Sequence, residues 1–98
     1  MDQQFRHVDP SDLRLPMSRA AGADAWKLHR QVRQYGASME DMPPLLAYED
    51  PDGLLIVIDG VTRATRVAKL APGKKVSVHV IGKYRKSRKD ARRIGDTL

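Results

Sequence analysis

LLIVIDGVTRATRVAKL, residues 54–70, joins an unbroken apolar run to a stretch of helical periodicity through Asp59-Gly60. Leu54–Ile58 is apolar at every position, the pattern of a central strand covered on both faces. From Val61 or Thr62 to Leu70, the apolar residues Ala64, Val67 and Ala68, with Leu70 or Ala71, recur at the spacing of one helix face. Pro72-Gly73 then ends the helix. The polar turn Asp59–Arg63 at the centre of this unit is the candidate functional site. Gly60 permits unusual dihedrals and lets a ligand approach the backbone. The first helical N–H groups lack partners inside the helix and carry the positive end of its dipole, so they attract anions. Thr62 adds a hydroxyl and Arg63 a planar fork that matches phosphate. Arg66, three residues on, falls on a neighbouring part of the helix surface. Asp59 stands at the C-terminal end of its strand, where functional side chains of α/β units emerge. Two plainer roles stand beside these: Asp59 as a helix cap, worth about 0.5–2 kcal/mol, and Arg63 as the salt-bridge partner of Asp59 or of an acid on the first helix.

Working outward, Leu45–Tyr48 reads as a strand joined to Leu54–Ile58 by the hairpin turn Glu49-Asp50-Pro51-Asp52-Gly53. Pro43-Pro44 stops a single helical turn at Met39–Met42. Before it, Ala21, Ala25, Leu28, Val32 and Tyr35 step by four and three, predicting a helix over Arg19–Tyr35 with one buried face. Gly36 is placed for a left-handed cap, and Trp26 lies at the stripe's margin, where an aromatic ring finishes a core. Phe5–Val8 is a short first strand closed by the turn Asp9-Pro10-Ser11-Asp12, and Leu13-Arg14-Leu15 adds extended residues before Pro16. Downstream, Val76, Val78 and Val80 alternate with Ser77, His79 and Ile81 as a half-buried last strand.

Ninety-eight residues suit one small domain. No run approaches the roughly 18 apolar residues of a membrane span, and MDQQFRHVDPSD lacks the layout of a signal peptide. The absence of cysteine excludes disulfides, thiolate chemistry and cysteine-bound zinc, and a cytoplasmic protein is expected. The net charge of +6 is concentrated in residues 83–98, where Lys83, Arg85, Lys86, Arg88, Lys89, Arg92 and Arg93 face only Asp90 and Asp96. Such a basic tail, expected to continue as an exposed helix over Lys83–Arg93, suits a nucleic-acid partner or simply aids solubility. His7, His29 and His79 show no metal-ligand spacing. A divalent cation bridging Asp59 and a substrate phosphate rests on that one carboxylate. Glu40 or Asp41 would join the site only if their loop folds over the turn. No Walker loop, Rossmann glycine pattern or Ser-His-Asp arrangement is visible.

VIDGVTRATRVAKLAPGKKVSVHVIG resembles the core motif of ParB-like domains, the superfamily that includes sulfiredoxin. Gly60-Val61-Thr62-Arg63 matches its Gly-x-x-Arg turn, DPSDLRLPMSR its extended opening segment, and MPPLLAYEDPDGLLIVIDG its hairpin; the likeness covers about residues 6–82. It implies an α+β fold, a mixed sheet with helices packed on it, as a ParB-like domain over 1–82 and a basic C-terminal tail over 83–98. It also implies nucleotide or nucleic-acid phosphate bound at Gly60, Thr62, Arg63 and Arg66, with a nucleotide and Mg2+ as the cofactor to test. A catalytic version, a nuclease or phosphotransferase of toxin-like type, would use Asp59 as base or metal ligand and Arg63 to stabilise the transferring phosphate. A structural or interaction domain without ligand is the third class. Sulfiredoxin chemistry is excluded because its nucleophile is a cysteine. The double arginine of partition proteins is Thr62-Arg63 here, and with sixteen residues after the last strand a full partition protein, which carries a helix-turn-helix module there, is not expected.

Overall fold

The computed structural model describes residues 4–98. Strands β1 (Gln4–Val8), β2 (Leu45–Glu49), β3 (Leu55–Asp59) and β4 (Val76–Lys83) form one sheet in the order β1-β4-β2-β3. The sheet is mixed: β1 with β4 and β2 with β3 are antiparallel, whereas β2 and β4 run parallel. Helices α1 (Ala25–Tyr35) and α2 (Val61–Leu70) complete a small α+β fold. Short 3-10 turns occupy Pro10–Asp12, Met17–Arg19 and Ile94–Thr97.

Amphipathic α2 supplies the centre of the core. Its Val61, Ala64, Val67 and Ala68 pack with Leu45, Ala47, Leu55, Val57, Val76 and Val78 of the sheet, and with Leu13, Leu15 and Ile94. The alternation of β4 holds, with Val76 and Val78 fully buried. Helix α1 packs on α2 as an outer layer, and none of its residues is buried. The helix expected from Arg19 begins only at Ala25. Gly22 has φ +110°, outside any right-handed helix, and Asp24 caps the shorter one by accepting a hydrogen bond from the Lys27 N–H at 2.9 Å. The apolar stripe of α1 is therefore only half covered, and Trp26 finishes no core: it is 68% exposed and stacks on His29. At the other end of α1, Gly36 has φ +55° and donates its N–H to the Val32 carbonyl, but its ψ of −129° lies outside the left-handed helical conformation expected of the cap.

Strand β3 overturns the expectation of a central strand, because it lies at the edge of the sheet. Leu55, Ile56 and Val57 are nonetheless all buried. Cover comes from the extended segment Leu13–Leu15, bridged in parallel at Arg14–Ile56: Arg14 donates its N–H to the Leu55 carbonyl (2.9 Å) and accepts from the Val57 N–H (3.0 Å). The C-terminal segment closes on the far side of the same ribbon. Leu15 donates to the Arg92 carbonyl, and Ile94 donates to that of Leu13.

The helix expected over Lys83–Arg93 does not form. That stretch is irregular and anchored. Arg14 donates to the carbonyls of Lys89 and Ala91, and Arg88 donates its backbone N–H to the Asp50 carboxylate at 2.7 Å. Asp50 also accepts from Asp52 and Leu54, which shapes the β2–β3 hairpin turn. Burial alone would raise its carboxyl, but the three backbone N–H groups, with the charge of Arg14, hold it below the ordinary value. Among the described residues no helix is long and apolar enough to cross a membrane.

Candidate functional site

The unit anticipated over residues 54–70 is present, and its turn is tight. Gly60 adopts φ +107° as the residue before α2, a conformation in which side chains are strained. A Cβ there would stand 2.5 Å from Leu45 Cδ2 and 2.9 Å from Arg63 Nη2. Glycine is thus demanded by both backbone and packing. No side chain caps the start of α2, so Asp59 is not a helix cap. It is instead the salt-bridge partner: Arg63 Nη2 meets Asp59 Oδ2 at 3.3 Å, while Nη1 donates to the Pro43 carbonyl at 2.9 Å. The fork is held by a loop on one side and a carboxylate on the other. The Asp59 side chain is 69% exposed, so solvent weakens this pair.

Arg66 departs from the expected phosphate-binding role. It retains only 2% of its accessible surface and faces the end of α1 rather than the turn. Nη1 donates to the carbonyls of Gly36 (2.8 Å) and Ser38 (2.7 Å), Nε to Gln31 Oε1 (3.2 Å), and Nη2 lies 3.6 Å from Met42 Sδ. The guanidinium also sits 5.2 Å from the centre of the Tyr35 ring. Burial pushes its pKa down, opposed by Tyr35 and assisted by the charge of Arg63, yet an arginine stays protonated in proteins. Its donors are spent on tying the loop after α1 to α2.

An open cleft of about 610 Å³ lies over the turn. Its walls are the Asp59–Arg63 turn with Ile58, the Pro16–Arg19 segment, and the face of α1 that carries Lys27, Arg30 and Gln34. Asp59, Gly60, Thr62 and Arg63 of the anticipated site all line it. Arg19, Lys27 and Arg30 line it too and were missed. Lys27, Arg30 and Gln34 recur at helical spacing beside the apolar stripe of α1, which marks an exposed polar face. Nothing local says that this face meets a turn thirty residues away. Among the described residues no carboxylate is paired with Arg19, Lys27 or Arg30. Among the described residues Asp59 is the one carboxylate in the lining. That donor set does not fit a divalent cation held by the protein, since hard cations take several oxygen ligands. Among the described residues no group of three or more His, Asp or Glu side chains is placed to hold a metal.

None of the tail residues singled out lines this cleft. Lys83, Arg85, Lys86, Lys89 and Arg92 are exposed elsewhere on the surface. Arg88 is half-buried over the Tyr84 ring at 4.8 Å, and Arg93 lies 3.7 Å from the Asp12 carboxylate. Glu40 and Asp41 belong to a smaller hollow beside Arg63 and Arg66, not to the cleft wall.

No protein-family model matches the chain, and no curated protein or solved structure matches it.

Proposed function

We propose that the protein binds nucleotide or nucleic-acid phosphate in the cleft between α1 and the β3–α2 turn, as a non-catalytic module of ParB-like type. One observation carries this reading: among the described residues Arg19, Lys27 and Arg30 have no acidic partners, and they converge with Arg63 on one open cleft. Cations brought together from three chain segments repel one another, and an anion relieves that repulsion. The uncapped N–H groups at the start of α2 add donors on the same wall. The element order, with a hairpin, a Gly-x-x-Arg turn, a helix and a valine-rich strand, supports the ParB-like assignment. Exposed Lys83, Arg85, Lys86, Lys89 and Arg92 add long-range, salt-dependent attraction. A cysteine-free chain suits a cytoplasmic setting.

A catalytic role is less well supported, because among the described residues the cleft holds a single carboxylate, engaged by Arg63, and no histidine. The test is an equilibrium titration of labelled oligonucleotides and of a nucleotide panel across a salt series. Arg30→Ala and Lys27→Ala should each weaken polyanion binding and lower the salt slope by about one. No binding at low salt, or unchanged slopes in both variants, would sink the proposal.

A further inference from the structure

We infer that the ligand of this cleft is a single-stranded nucleic acid, with one base stacked on Trp26; this rests on the phosphate-binding reading above. The cleft itself is built for phosphate and not for a base. No aromatic ring lines it, and its apolar lining is limited to Pro16, Ile58 and Val61. A mononucleotide held there would leave its base with nothing to stack on. Trp26 lies outside that lining, on the residue before Lys27, and is the chain's only tryptophan. An indole exposed to 68% on a helix is an unusual loss of apolar burial.

His29 stacks along one side of the indole, with ring centres 5.9 Å apart and planes 25° from parallel. That contact leaves most of the residue's surface open. Trp26, Arg30 and Arg33 follow at i, i+4 and i+7 on α1, so the aromatic ring stands in line with two cations. Arg30 belongs to this line and to the cleft wall at once. A strand whose phosphates lie along Arg63, Lys27 and Arg30 would leave the cleft beside Trp26. There the next base has an aromatic platform. Aromatic rings alternating with backbone-tracking cations are how sequence-tolerant single-strand sites are made. A duplex keeps its bases stacked on one another and offers none to the indole.

The single tryptophan makes the experiment direct. The whole chain is titrated with dT10 and rU10, a matched duplex, a nucleoside triphosphate and polyglutamate, following indole emission and, in parallel, anisotropy of the labelled oligonucleotide. The expected result is quenching by the single strands and little by the duplex, the triphosphate or the polyglutamate. Trp26→Ala should weaken binding to dT10 by roughly 5- to 150-fold, the range of one lost base–aromatic stack, and Trp26→Phe should recover most of it. The residue is exposed, so unchanged melting of both variants checks that folding is intact. If dT10 binds by anisotropy without quenching, and Trp26→Ala binds equally well, the stacking inference is overturned and the phosphate cleft stands. Equal affinity for duplex, or for polyglutamate, overturns the choice of ligand in the same way. If no polyanion binds, the phosphate-binding reading itself has failed.

Discussion

Replacing Arg66 separates a structural arginine from a ligand-binding one, and the size of the effect follows from its contacts. The side chain is 2% exposed and donates two short bonds to backbone carbonyls, at 2.8 and 2.7 Å, with a longer one to Gln31. A hydrogen bond to a charged group contributes about 1.5–3 kcal/mol net. Arg66→Ala removes two strong ones, but Ser38 is exposed and Gly36 half-buried, so water takes over part of what their carbonyls lose. We expect a loss of about 2–4 kcal/mol after that correction. With an unfolding entropy of about 2.1 cal/mol/K per residue, each kcal/mol shifts a domain of this size by about 5 °C, so Tm should fall by roughly 10–20 °C. Arg66→Lys should fall between, because one ammonium cannot span Gln31, Gly36 and Ser38 together. Thermal melts followed by circular dichroism and urea titrations measure both variants. A Tm for Arg66→Ala within a few degrees of the parent would refute the reasoning. If that variant also lost affinity for oligonucleotide, Arg66 would be a phosphate ligand after all.

Gly60→Ala places a Cβ 2.5 Å from Leu45 Cδ2 in a backbone with φ +107°, and should cost about 1–3 kcal/mol. The same Cβ displaces Arg63, so oligonucleotide affinity should drop in the folded fraction; retained affinity and stability would show that the turn relaxes freely. Asp50→Asn should destabilise at neutral pH, and its effect should be pH-dependent. The folded carboxyl lies below its ordinary 3.8, so its stabilisation is complete above that value and is lost as pH falls through the folded one. Urea midpoints of parent and variant should stay apart at neutral pH and converge in strong acid; a constant gap would argue against the hydrogen-bonded carboxylate. Ile94 is fully buried in the core, so Ile94→Ala should cost about 2–5 kcal/mol in chemical denaturation. Removal of residues 83–98 should prevent cooperative unfolding altogether; a truncated chain that melts normally would show the segment to be dispensable.

The strand–turn–helix of residues 54–70 was legible because each part carries its own local signal: an apolar run, Asp-Gly, and helical spacing. The β4 strand was legible for the same reason. What could not be read depended on partners distant in sequence. LLIVI reads as a central strand, but only Leu55, Ile56 and Val57 are buried, Ile58 is exposed, and the edge is paired by a three-residue segment some forty positions upstream. A helical wheel puts Arg66 near Arg63, but which side of α2 receives α1 is a tertiary fact, and α1 falls on Arg66. Charge density in residues 83–98 drew attention to the cations and away from Ile94, the one side chain there that is fully buried. The candidate site was therefore half visible: the wall made by one continuous segment could be named, and the wall made by α1 could not.

Leu13–Leu15 lies between β3 and the residues around Arg92–Ile94, bonded to both. A bare edge strand is a template for other chains, and here that template is occupied by the protein's own backbone. The contacts that occupy it join positions separated by about forty and about eighty residues, among the most costly loops to close in a chain of this length. During synthesis, β3 and Leu13–Leu15 can meet early, but the ribbon has nothing on its outer side until Ile94 has been made. Closure of the core thus waits for the segment around Ile94, and a nascent chain stalled short of that residue should be an exposed substrate for chaperones and proteases.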